Sequence, residues 1–125
     1  MRRSAVLLLG LSMAACGGGG GGTNPSPNPP ANPNTFTITS AGVTPKELTV
    51  SPGTRVLFVN NDNRRHDMGS DPHPEHSDCP EINAVGILSP GANRETANLN
   101  TVRTCGFHDH DLPDNNALKG RIIIR

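Results

Sequence analysis

All five histidines of this chain fall in two short segments. The first runs from His66-Asp67-Met68 to His73-Pro74-Glu75-His76, and the second is Cys105-Gly106-Phe107-His108-Asp109-His110. Imidazole is the commonest protein donor to transition metals, and it suits copper, zinc, nickel and iron. Solvated loop histidines would be scattered, so this gathering predicts a metal site wherever the fold brings the two segments together. His108 and His110, two apart, would project to one side of a strand. The spacing His73-Pro74-Glu75-His76 is not that of a helical metalloprotease, because Pro74 opposes the helix such a motif requires. Asp67, Asp71, Asp78, Asp109, Asp111 and Asp114 read as loop and turn residues rather than catalysts, some of them orienting histidines as hydrogen-bond acceptors. Besides Cys16 there are two cysteines, Cys79 and Cys105. Paired, they would form a disulfide in an oxidising compartment. Left free, Cys105 would offer a soft thiolate three residues before His108. The two uses exclude each other at Cys105, and both stand open on the sequence.

The elements that must carry these residues read as short strands. Phe36 and Ile38 alternate with threonines over Thr35 to Thr39, and Leu48 alternates with Val50 over Glu47 to Val50. Ser51-Pro52-Gly53 is a turn, followed by the β-branched and aromatic run Thr54 to Val59. Asn60-Asn61-Asp62-Asn63 ends that strand, and an irregular polar stretch follows from Arg64 to about Asn83. Val85 to Leu88 is a short apolar strand before a second turn, Ser89-Pro90-Gly91. Asn93 to Leu99 alternates weakly, Val102 to Phe107 leads into His108, and Gly120 to Arg125 closes the chain. No stretch has the helical period. Many short strands at close spacing predict an all-β sandwich or barrel, which gathers its loops at the ends.

Ahead of this region the composition changes abruptly. Arg2 and Arg3 precede an apolar run, Ala5 to Ala15, too short to span a bilayer and of signal-peptide length. It ends Leu11-Ser12-Met13-Ala14-Ala15-Cys16, which resembles a bacterial lipobox with Met13 in place of the usual leucine. On that resemblance residues 1–15 are a lipoprotein signal peptide and Cys16 is the lipidated residue. The chain would then be exported and held at the periplasmic or extracellular face of a membrane. Residues 16–34, with GGGGGGTNPSPNPPANPN after Cys16, can bury no apolar surface and read as a disordered tether with a reach on the order of 20–50 Å. Residues 35–125 remain as one domain. Removing Arg2 and Arg3 with the signal leaves 9 basic against 11 acidic side chains, a charge of −2 with His neutral. No basic stripe exists to neutralise phosphates, which argues against a nucleic-acid partner. With three Phe and no Trp or Tyr, a core this small calls for a disulfide or a metal.

Across residues 35–125 the chain resembles the cupredoxins, in particular the plastocyanin and amicyanin type. The similarity lies in Val50-Ser51-Pro52-Gly53-Thr54-Arg55-Val56-Leu57-Phe58-Val59-Asn60-Asn61-Asp62 followed by His66. It continues in the turn Pro90-Gly91, in Cys105 and His108 as a Cys-x-x-His pair, and in Leu118-Lys119-Gly120-Arg121-Ile122-Ile123-Ile124 at the end. The resemblance implies a Greek-key β-sandwich holding mononuclear copper through His66, Cys105 and His108, for electron transfer with a partner protein. Two imidazoles and a thiolate accommodate both copper valences with little rearrangement. The axial position of that family is matched by Leu118, which cannot ligate, and Met68 is the only methionine after the signal. The stretch Ser70-Asp71-Pro72-His73-Pro74 and the run Phe107-His108-Asp109-His110 also resemble cupredoxin-like domains without a copper cysteine. That version implies an all-histidine copper site from His66, His108 and His110 with His73 or His76, beside a Cys79–Cys105 disulfide.

Gly106-Phe107-His108-Asp109-His110 also resembles the Gly-Phe-His-x-His motif of copper/zinc superoxide dismutases. That family requires further histidine ligands downstream, and none follows His110. No enzyme activity and no small-molecule substrate are therefore expected. Three classes remain: an electron-transfer cupredoxin at the membrane surface, a copper-handling module with a histidine site and a disulfide, and a structural domain that keeps the fold without metal.

Overall fold

A computed structural model describes residues 32–125. The expected signal peptide, Cys16 and most of the tether lie outside the described residues. Nine strands form two sheets: β1 (Thr35–Thr39), β2 (Gly42–Thr44), β3 (Glu47–Val50), β4 (Leu57–Asn60), β5 (His66–Ser70), β6 (Gly86–Leu88), β7 (Asn93–Glu95), β8 (Arg103–Asp109) and β9 (Gly120–Ile124). One sheet has the order β2-β1-β4-β7 and the other β3-β9-β8-β5-β6. β1 lies parallel to β4 and β3 parallel to β9, whereas the remaining pairings are antiparallel. The non-sequential orders require the crossing connections of a two-sheet β-sandwich. The only helical turns among the described residues are short 3₁₀ segments at Pro80–Ala84 and Asn116–Leu118.

The alternation read in the sequence is the alternation of burial. Phe36 and Ile38 face inward from β1, Phe58 from β4, and Ile122 and Ile124 from β9. The three phenylalanines meet between the sheets, with centroids 4.7–5.1 Å apart: Phe36 with Phe58 and Phe107, and Phe58 with Phe107 edge-on. They supply most of the large apolar area in a core otherwise built of Ile, Leu and Val. The Asn60-Asn61-Asp62 turn is held from within. Asn60 Nδ2 donates to the carbonyls of Arg64 (2.7 Å) and Leu88 (2.9 Å), and its Oδ1 accepts from the Asp62 amide (2.9 Å).

Several elements differ from expectation: β2 (Gly42–Thr44) lies where no strand is expected, and β7 ends at Glu95 rather than near Leu99. The stretch from Arg64 to Asn83 is not wholly irregular, since it begins with β5, which lies between β8 and β6. His-Asp-Met-Gly-Ser has no β-branched residue, so its strand comes from two-sided pairing rather than local preference. The expected strand from Thr54 is regular only from Leu57, with Thr54 in a single bridge to Leu99.

Candidate metal centre

β8 has two faces. Cys105, Phe107 and Asp109 point to the interior, and Gly106 and His108 to the outer side of the sheet, with His110 following in the same phase. On β5, Gly69 sits directly opposite His108. The segment after β5, residues 71–78, folds back over this outer face. Its base is pinned by Asp71 N–H to the Gly106 carbonyl (3.0 Å), Asp78 N–H to the Asp71 carbonyl (2.9 Å) and Cys79 N–H to Ser70 Oγ (2.8 Å). Two glycines make room. A Cβ on Gly69 would collide with the His76 ring, and one on Gly106 with the Asp71 carboxylate. His76 itself takes φ 54°, a left-handed conformation that a side-chain-bearing residue adopts at a cost. It is held there by its amide to the Pro72 carbonyl (2.7 Å) and by Asn83 Nδ2 to its own carbonyl (2.9 Å).

The result is a four-histidine cluster. His73 and His76 descend from the loop, His108 rises from β8 and His110 from the residue just after it, and one ring nitrogen from each lies within 4.8 Å of all the others. His110 Nδ1 and His76 Nε2 are 2.8 Å apart. His108 forms the floor: it is 1 % exposed, its Nδ1 is 2.6 Å from Asp71 Oδ1, and its buried Nε2 has no hydrogen-bond partner. His73 and His110 are exposed and form the mouth. An open cleft of about 210 Å³, bordered by Asp67, His76, Asn83 and His110, runs beside them. His76 is pushed below the ordinary histidine pKa, first by burial and then by the neighbouring His108, His110 and His73 rings. That favours the neutral imidazole a metal needs.

The sequence-predicted ligands separate. His108, His110, His73 and His76 come together, but His66 does not join them. Its side chain is buried, with Nδ1 2.7 Å from Asp109 Oδ2 and Nε2 3.1 Å from Asp62 Oδ2. Both ring nitrogens are thus taken by carboxylates. Asp109 is fixed in turn, its Oδ1 accepting the amides of Asp67 (3.1 Å) and Asp111 (3.0 Å). Cys105 is bonded to Cys79, with Cα atoms 5.7 Å apart and both side chains buried. Its sulfur is consumed, and the ligand set His66, Cys105 and His108 is not assembled here. Met68 and Leu118 are packed in the apolar core, so neither offers an axial donor. The sequence reading did not single out Asp71 among the acidic residues, because only the folded loop puts it against Gly106.

The donors and their surroundings fit a metal ion. Four nitrogens converge, and one is a buried imidazole nitrogen with nothing to bond; among the described residues Arg103 Nε is the one other buried side-chain nitrogen or oxygen without a partner, and it lies outside the cluster. Neither a protein-family model nor a curated protein sequence matches the chain. Solved structures do. A purple cupredoxin from Nitrosopumilus maritimus is 15% identical with a TM-score of 0.56, covering 73% of this chain and 98% of its own. Oxidised plastocyanin from Dryopteris crassirhizoma is 21% identical with a TM-score of 0.57, covering 73% and 99%. The fold is that of a cupredoxin. A copper-containing nitrite reductase from Thermus scotoductus also matches at 22% identity and TM-score 0.60; 75% of this chain corresponds to 22% of that one. The cupredoxin-like domain thus carries its histidine cluster on the outer face of the β5–β8 pair, while His66 and Cys105 are engaged elsewhere.

Proposed function

We propose that this is a membrane-anchored copper-binding protein. Its cupredoxin-like domain holds a single copper ion through His73, His76, His108 and His110, and its role is to bind and hand on copper rather than to catalyse a reaction. The observation that carries the reading is the buried, unpartnered Nε2 of His108 beneath three other imidazoles. Copper is favoured over the other ions imidazole accepts because Cu(II) stands highest in the affinity order for nitrogen donors. The similarity in fold to proteins described as a Cu(I) amicyanin and a copper-containing nitrite reductase supports the same metal. When bound, the ion would supply an all-nitrogen copper centre without a thiolate, suited to holding and exchanging copper. The exposed His73 and His110 give an incoming ion or a partner protein access to the donors. The buried His108 and the disulfide-anchored loop hold the rest of the set in place. Anchoring rests on the lipobox-like Ala14-Ala15-Cys16 and the Gly/Pro/Asn tether, which would present the domain at the periplasmic or extracellular membrane face.

Copper titration with visible and electron paramagnetic resonance spectra tests the reading. The expected result is one Cu(II) per chain, pale absorption and coupling to several nitrogens. Intense thiolate-to-copper absorption would overturn the all-nitrogen site, and no copper uptake would overturn the function.

A further inference from the structure

We propose that Asp71 is the positioning residue of this centre: it fixes which nitrogen of His108 faces the other histidines. The inference rests on the copper reading for its consequence, but on metal-free geometry for its substance. The Asp71 backbone is tied at three points. Its amide donates to the Gly106 carbonyl (3.0 Å), and its carbonyl accepts from the Asp78 amide (2.9 Å) and from Ser70 Oγ (2.9 Å). Its carboxylate lies over Gly106, in the space a Cβ at that position would fill. From there Oδ1 meets His108 Nδ1 at 2.6 Å. A carboxylate accepts and does not donate, so Nδ1 carries the proton of the neutral ring and Nε2 keeps its lone pair. That lone pair belongs to the buried atom without a partner. The glycine, the pinned loop base and the acid together hold the one buried imidazole of the cluster in the form and orientation a metal accepts. Outer partners of this kind typically change metal affinity 10–100-fold when removed.

The test uses the full chain and two readouts. Nitrogen NMR of the metal-free protein reports which His108 nitrogen is protonated. Competition with a chelator, together with paramagnetic resonance, reports Cu(II) binding. The parent should show the Nδ1-protonated ring. Asp71→Asn should lose that preference, weaken Cu(II) binding roughly 10–100-fold and alter the resonance parameters, with its unfolding temperature measured beside it. Gly106→Ala, which displaces the carboxylate without removing it, should reproduce both changes and serves if Asp71→Asn does not fold. A variant with the parent's tautomer and the parent's copper affinity overturns the proposal. A parent that binds no copper overturns the copper reading instead, and the tautomer measurement still decides for or against Asp71.

Discussion

His108 and His66 show how far side chains of one type can diverge in role. Both are buried, but His108 Nε2 is free and both nitrogens of His66 are bonded to carboxylates. His108→Ala should therefore abolish tight Cu(II) binding and remove the rise in unfolding temperature that a bound ligand confers, while the metal-free domain stays folded. A copper-dependent rise persisting in that variant would refute its place in the site. His66→Ala should do the reverse. It leaves Asp62 and Asp109 buried without their partner, a loss that typically costs about 3–5 kcal/mol, and it removes no copper donor. Chemical denaturation and copper titration of the same variant check both halves. The sequence marked both histidines as ligands because residue type and spacing are alike for a donor and for a buried hydrogen-bonding ring. Only the partners distinguish them.

At the scale of elements, the Cys79–Cys105 disulfide joins the two halves of the site. Cys79 follows His76 by three residues on the loop, and Cys105 precedes His108 by three on β8. The bond closes a separation of 26 residues, worth about 3.5 kcal/mol in the chain-entropy description. Replacing either cysteine by alanine, or reducing the bond, should lower stability by that order and loosen the loop that carries His73 and His76. Cu(II) spectra should keep their pale, nitrogen-only character. Loss of an intense visible band in Cys105→Ala would instead show a thiolate ligand. The phenylalanine cluster sets the sheet spacing beneath the site, so Phe107→Ala should cost about 3–5 kcal/mol in denaturant unfolding. Most strands were legible because their apolar residues alternate, as in Phe36 and Ile38 of β1 or Leu48 and Val50 of β3. β5 was not, because His66-Asp67-Met68-Gly69-Ser70 becomes a strand only through its neighbours β8 and β6.

At the scale of the whole molecule, residues 17–34 are rich in Gly, Pro and Asn, the composition from which a disordered tether is expected. Limited proteolysis should cut first within residues 17–34 and leave a resistant fragment from about Thr35 to Arg125; early cleavage inside Thr54 to Val59 would contradict that boundary. Cys16→Ser should release the protein from the membrane fraction or block its processing, and unchanged partitioning would refute the anchor. The stretch from His66 to Asn93 contains acidic residues but no Lys or Arg, so the loop around the histidine mouth favours a cation over an anion.

The sequence by itself determined an all-β fold, sandwich or barrel, the two histidine-bearing segments and the incompatibility of a thiolate ligand with a disulfide. Those follow from alternation, composition and chemical valence, which are local properties. It could not determine which histidines meet or which face they occupy. A strand's two faces differ by one residue in phase, and whether a face is interior or exterior depends on what packs against it. The return of residues 71–78 across Gly69 and Gly106 brings His73 and His76 onto His108 and His110. Asp62 and Asp109 close around His66 on the buried side. Those contacts join residues distant in the chain, and only the tertiary structure decided them.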